Sequence, residues 1–216
     1  MLVAEGIYKN YGELKILQGV DISVKEGEIV SIVGSSGAGK TTLLQILGTL
    51  DKPDQGKISI NGTDLLSLSG NKMAAFRNSQ IGFIFQFHQL LPEFNAYENV
   101  MLPALILGLS KKEASEQAKN LLSKIGLESR FNHRPSELSG GEQQRIAVCR
   151  SLINKPKVIF ADEPSGNLDT KNARELHELF FNLRDEFKQT FVIVTHNEEL
   201  AKMADRSLSM RDGKFI

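Results

Sequence analysis

Three groups of residues could do chemistry by type and spacing. Gly34-Ser35-Ser36-Gly37-Ala38-Gly39-Lys40-Thr41, followed by Thr42, fits G-x-x-x-x-G-K-[ST] and lies between an apolar run and a helical pattern. Its glycines let the backbone curl so that successive N–H groups face phosphate oxygens, and a helix starting near Thr41 adds its dipole. Lys40 is then expected to reach the β- and γ-phosphates, and the Thr41 hydroxyl to ligate Mg²⁺. A chance match in a chain of this length is on the order of one in a hundred. Asp162-Glu163 closes the apolar run Val158–Ala161, at the strand end where open α/β sheets collect ligands. Asp162 is expected to hold Mg²⁺, and Glu163 to polarise an attacking water as general base. An apolar run ending in acids is a weak signal alone and a strong one beside a phosphate loop. In Leu138-Ser139-Gly140-Gly141-Glu142-Gln143 a helix again begins on exposed amides, which makes a second anion site. If that site grips a phosphate held by another copy, two chains close around two nucleotides.

Together and in this order, the three strings resemble those of ABC-transporter ATPases, and the resemblance covers essentially all 216 residues. It implies a P-loop NTPase with a RecA-like core, Mg²⁺-dependent ATP hydrolysis and a homodimer around two ATP. In that family the stretch containing Ser139, Gly140, Gly141 and Glu142 contacts ATP held by the opposite subunit. The resemblance further assigns Tyr11 to stacking on adenine, Gln86 to Mg²⁺ and the water, and His196 to the γ-phosphate and Glu163. It gives Ser165-Gly166-Asn167-Leu168-Asp169 the role of signalling across the dimer. By residue type alone Tyr11 reads as an exposed loop tyrosine; the place of His196 at a strand's C-terminal end favours a functional role.

Segments outside the shared strings are similar to the lipoprotein-releasing branch of the family. They are Phe85–Phe94, Glu98-Asn99-Val100, Asn132–Glu137 and Met210-Arg211-Asp212-Gly213. That branch implies integral membrane permease subunits as partners, lipoprotein as indirect cargo, and a peripheral place on the cytoplasmic side of the inner membrane. Exporter-motor (MacB-type) and cell-division (FtsE-like) members share the catalytic residues and stand as the alternative.

The positioning elements follow from periodicity. Leu2–Tyr8, Val20–Val24, Ile29–Val33, Gly56–Ile60, Ile81–Phe85, Val158–Ala161 and Phe191–Thr195 read as strands, with Asn61-Gly62 as a tight turn. Helical spacing marks Thr41–Leu50, Lys111–Ile125 behind Ser110 and Glu113, Glu142–Leu152 and about Thr170–Phe187. The expected architecture is α/β: a catalytic core over 1–86 and 151–216, an antiparallel β portion near the N-terminus, and an inserted α-helical subdomain over 87–150. The six prolines are read as lying outside the clear helix interiors.

Composition narrows the function classes. Lys and Arg balance Asp and Glu at 26 each, which argues against a nucleic-acid binder working through a broad basic face. With 41% apolar and 24% charged residues the chain is an ordinary globular one. MLVAEGIYKNYG lacks a basic-then-apolar leader, and no apolar run approaches a membrane span, so a soluble intracellular chain is expected. Phe87, Leu90, Leu91 and Phe94 are too apolar for a small surface segment. They form either part of a groove for a membrane partner's helix or the insertion's own core. Cys149 reads as a small buried residue, and His133 and His177 as structural or solvent-facing.

Overall fold

The computed structural model describes residues 1–216, arranged as two sheets over a shared core with a helical layer beside them. β1 (Leu2–Tyr11) pairs antiparallel with β2 (Leu14–Val24) and with β4 (Gln55–Ile60), and β4 turns back into the short β5 (Thr63–Asp64). The turn residues Asn61 and Gly62 have φ of 48° and 79°, the conformation a two-residue hairpin demands and Asn-Gly supplies.

The second sheet has the order β10-β9-β3-β8-β7-β6. In it β3 (Ile29–Val33), β6 (Ile81–Phe85), β7 (Val158–Asp162), β8 (Thr190–Val194) and β9 (Arg206–Arg211) run parallel, and β10 (Lys214–Phe215) closes one edge antiparallel. The central strands are covered on both faces, hence their unbroken apolar runs. Alternation still sorts their side chains. Val158, Phe160, Val192 and Val194 meet the antiparallel sheet and α1 (Lys40–Leu47), whereas Ile159, Ala161, Phe191 and Ile193 meet α5 (Gly140–Leu152) and α6 (Thr170–Phe187). Full burial of a side chain such as Phe160 or Phe191 contributes about 1.5–3 kcal/mol.

Between β6 and β7 lie α3 (Ala96–Ile106), α4 (Lys111–Lys124) and α5, packed on a third core that includes Val100, Ala118, Leu122 and Ile146. α5 serves two cores at once: Val148 and Leu152 face the sheet, while Cys149 and Ile153 face the insertion. Ser110 and Glu113 form the expected capping box on α4, and Asn95 with Glu98 and Ser139 with Glu142 form two more.

The structure departs from the pattern reading in four places. α1 ends at Leu47 because Gly48 caps it and Thr49 turns left-handed at φ 63°. β1 and β2 run longer than their alternation indicates, since register shifts between Ala4 and Tyr8 interrupt it. α2 (Gly70–Gln80), α7 (Glu198–Met203) and β9–β10 carry no clear pattern, and α2 buries no residue fully. Pro103 sits inside α3. Its ring removes one helical donor, while its carbonyl accepts from Asn78 Nδ2 at 3.1 Å and Asn154 Nδ2 at 3.0 Å. No helix is long and apolar enough to cross a membrane.

Candidate active site

Four parallel strands deliver the chemistry to one edge. The register pairs Ile32 with Val194, Val194 with Asp162 and Asp162 with Phe85. Residues 34–41, 86, 162–163 and 195–196 therefore emerge side by side at the C-terminal ends of the sheet.

The loop after β3 is curled against backbone on two sides. At Gly34, with φ 155°, a side chain would run into the Met210 carbonyl of β9, and at Gly39, with φ 100°, it would meet the Ile16 carbonyl of β2 at 2.9 Å. Glycine is required at both. Gly213 braces the loop from the β9–β10 turn: its N–H donates to the Ala38 carbonyl at 3.1 Å and its carbonyl accepts from the Gln18 N–H at 3.0 Å. Ser35, Ser36 and Gly37 are exposed at the loop's rim, and Ala38, Gly39 and Lys40 are buried. The Lys40 ammonium donates to the Gly34 and Ser35 carbonyls, both at 2.8 Å, so it lies within the loop. Thr41 and Thr42 open α1.

Thr41 Oγ1 donates to Asp162 Oδ1 at 3.1 Å, joining the loop to the end of β7. Burial raises the Asp162 pKa, and the neighbouring Glu163 charge adds to this; the Thr41 hydrogen bond and the Lys40 charge oppose it. A hydroxyl and a carboxylate side by side are hard oxygen donors. No cluster of three or more His, Cys, Asp or Glu side chains is placed to hold a metal alone. This set fits Mg²⁺, which takes one or two protein oxygens and completes its shell with water and phosphate.

Glu163 leaves β7 with φ 46°, its N–H donating to the Val194 carbonyl at 2.9 Å. Glu163 Oε2 accepts from the His196 backbone N–H at 3.2 Å, and the His196 Nδ1 lies 2.8 Å from the same oxygen. With Nδ1 turned to that carboxylate, the His196 Nε2 is left for another partner. Gln86 makes no hydrogen bond to Glu163: its Nε2 donates to Asn167 Oδ1 at 3.0 Å. Beside the pair lies a polar cavity of about 220 Å³ lined by Glu163, Ser165, Thr195, His196 and Asn197, among others.

The Ser139 region faces elsewhere in its own chain. Gly140 stands beside Leu168, and Gly141 against the Asn172 side chain of α6. The Glu142 carboxylate is fully engaged, Oε1 accepting from Arg130 Nε and Oε2 from the Ser139 N–H, both at 2.8 Å. Arg130 first, and the Ser139 hydrogen bonds with it, pull the Glu142 pKa down to about 2 against the cost of burial. What this helix start offers an anion is thus Ser139 with the amides of Gly140 and Gly141. Tyr11 sits at the end of β1 with its ring half exposed, its hydroxyl donating to Asp51 Oδ2 at 2.7 Å and the Lys9 ammonium 5.1 Å from the ring centre.

Several contributors carry no sequence signal of their own. Arg150 of α5 donates to the His88 and Gln89 carbonyls at 2.9 and 2.6 Å, and Gln144 Nε2 to the Phe85 carbonyl at 3.1 Å. One helix thereby grips the strand exit that carries Gln86. Buried Asn99 ties down the following segment through Leu91, Phe94 and Asn95. The apolar residues of that segment divide: Phe87 and Leu91 are exposed at 66% and 43%, Phe94 is half-buried, and Leu90 packs on the insertion's core. For Gly213 the Asp-Gly pair was the available clue.

A family model described as ABC transporter matches residues 17–166. The lipoprotein-releasing system ATP-binding protein LolD of Bacteroides fragilis is 60% identical over 216 residues, covering all of both chains. LolD of Porphyromonas gingivalis is 61% identical, covering 99% of this chain and 97% of its own. Among solved structures, a dimeric bacterial ABC transporter cassette superposes with a TM-score of 0.91 at 39% identity, covering 100% of this chain and 96% of the other. A dimeric post-hydrolysis cassette bound to ADP and Pi gives 0.90 at 38% identity with the same coverage.

Proposed function

This chain belongs to the ABC transporter family, and from that premise we propose that it is the ATP-hydrolysing subunit of a lipoprotein-releasing transporter. The carrying observation is the Glu163–His196 pair set beside Thr41–Asp162 at the mouth of the phosphate loop. The loop amides and Lys40 take the β- and γ-phosphates, with Lys40 exchanging two carbonyls for phosphate oxygens. Tyr11 stacks on adenine. Thr41, Asp162 and Gln86 would hold Mg²⁺, which when bound would neutralise developing phosphoryl charge. The Glu163 carboxylate takes a proton from the attacking water, and His196, which meets its Oε2, keeps that carboxylate in place while offering Nε2 to the γ-phosphate. Positioning and electrostatics supply most of the rate.

Ser139, Gly140 and Gly141 contact none of the chain's own phosphate-loop residues through a hydrogen bond; in this reading they close on ATP held by a second copy. The dimeric state of the two structural relatives supports that assembly. Phe87 and Leu91, with Phe94 beside them, offer an apolar patch to integral permease subunits of LolC/LolE-like kind. The chain then sits peripherally on the cytoplasmic side of the inner membrane, with lipoprotein as indirect cargo.

Lipoprotein release rests on the relatives named for it, matched over their full length. The test is co-purification of the tagged chain from detergent-solubilised native membranes. Permease subunits with a large periplasmic part, carrying trapped lipoprotein, are expected. An exporter permease without lipoprotein, or a cell-division partner, would overturn the transport assignment and leave the ATPase standing.

A further inference from the structure

His177 is a buried polar residue for which the hydrolysis scheme has no use. It lies on α6 at 1% exposure, with Nε2 3.0 Å from Ser165 Oγ and Nδ1 without any partner. That asymmetry decides the tautomer. A buried N–H left without an acceptor costs more than a lone pair left bare, so the proton sits on Nε2 and is donated to Ser165 Oγ. Burial lowers the His177 pKa despite the opposing charge of Glu199, so the ring is neutral at pH 7. With its oxygen accepting from His177, the Ser165 hydroxyl has its own hydrogen to give.

Ser165 is only two residues past Glu163 and is itself buried, lining the polar cavity shared with Glu163 and His196. The loop between them is tight: the Gly166 N–H donates to the Glu163 carbonyl at 3.0 Å and the Leu168 N–H to the Ser165 carbonyl at 3.1 Å. Asn167 of the same loop holds Gln86. A shift of the Ser165 backbone, which the His177 contact to Oγ resists, is therefore passed to Glu163 and to the Gln86 contact.

We propose that His177 is a positioning residue for hydrolysis, holding Ser165 through Nε2–H so that the 163–169 loop keeps Glu163 in place beside His196 and the cavity that they line with Ser165. This deepens the reading above and rests on Glu163 being the base. It acts on the chemical step, because the link reaches the cavity beside the carboxylate and not the phosphate loop or Tyr11.

The experiment compares steady-state ATPase kinetics of the full chain with His177→Leu, His177→Gln, Ser165→Ala and the double variant His177→Leu/Ser165→Ala, with Glu163→Gln run alongside. Loss of one hydrogen bond of this kind predicts a kcat lowered about five- to tenfold in His177→Leu, with KM for ATP within about twofold. Glutamine carries an N–H at the Nε2 position and restores kcat to within about twofold. Ser165→Ala matches His177→Leu, and the double variant falls no further, since both remove one contact. An unchanged kcat in both Ser165→Ala and His177→Leu overturns the proposal; so does a glutamine variant as impaired as leucine, or an effect on KM alone. Ser165→Ala deletes a single oxygen and keeps the test decisive if His177→Leu fails to fold. If Glu163→Gln itself retains turnover, the hydrolysis reading fails first and the proposal falls with it. If Glu163→Gln is inactive and the His177 and Ser165 variants are normal, only the positioning role is lost.

Discussion

Asn99 is the most demanding single side chain outside the catalytic edge. It is fully buried; its Oδ1 accepts from the Leu91 N–H at 2.8 Å and its Nδ2 donates to the Leu91, Phe94 and Asn95 carbonyls at 3.0–3.1 Å. Asn99→Ala leaves the Leu91 N–H and the Phe94 carbonyl without a partner, and strips one of two from the Leu91 and Asn95 carbonyls. At about 1 kcal/mol per net hydrogen bond, and more for groups that water cannot reach, the expected loss is about 3 kcal/mol. For a chain of this size that lowers the melting temperature by about 6–12 °C. Asn99→Asp keeps the shape and the Oδ1 acceptor but turns an oxygen toward three carbonyls, so it is expected to be at least as destabilising as alanine. Differential scanning calorimetry with a parallel urea titration measures both. Nucleotide affinity of the variants at low temperature is expected to stay within about twofold, because Asn99 touches no phosphate-loop residue. A loss below about 0.5 kcal/mol in Asn99→Ala, or a tolerated aspartate, refutes the view that this side chain pins the 91–95 segment.

Three further outcomes are expected. Gly213→Ala forces a side chain onto φ 74° and into the Ile16 carbonyl, so it costs about 1–3 kcal/mol in denaturant titration and weakens ATP binding several-fold by unbracing Ala38. Glu142, held at about 2 against a usual 4.5, contributes stability that is complete above pH 4.5 and lost as pH falls toward 2; Arg130→Ala narrows that loss, as melting curves across this range will record. Lys40→Ala removes the only charge inside the phosphate loop, and abolished ATP binding by equilibrium dialysis is expected with the fold intact by circular dichroism.

What could be read from sequence was what a contiguous string or a period carries. The phosphate loop is a single turn and its glycines follow from local φ and close approach. Strands such as Ile29–Val33 and Phe191–Val194 show because both faces are buried. α6 was visible because Leu176, Phe180 and Leu183 return on one face, whereas α2 buries no residue fully and left no stripe to see. The supports of the site were illegible for a different reason. Arg150, Gln144, Asn99 and Gly213 act on backbone carbonyls or amides, which every residue possesses, and in most cases across a long sequence separation. His177, read as structural or solvent-facing, is buried against Ser165, a contact that only the docking of α6 against the 163–169 loop creates.

The proposed hydrolysis rests on Glu163 as the base of an ATPase that two copies form together. Its most direct test is Glu163→Gln mixed with Mg²⁺ and ATP, followed by light scattering after size-exclusion chromatography and by phosphate release. A stable species of two protomers' mass that retains ATP is expected, with turnover lowered at least about a hundredfold. Unchanged phosphate release, or a monomer that binds ATP without pairing, contradicts it.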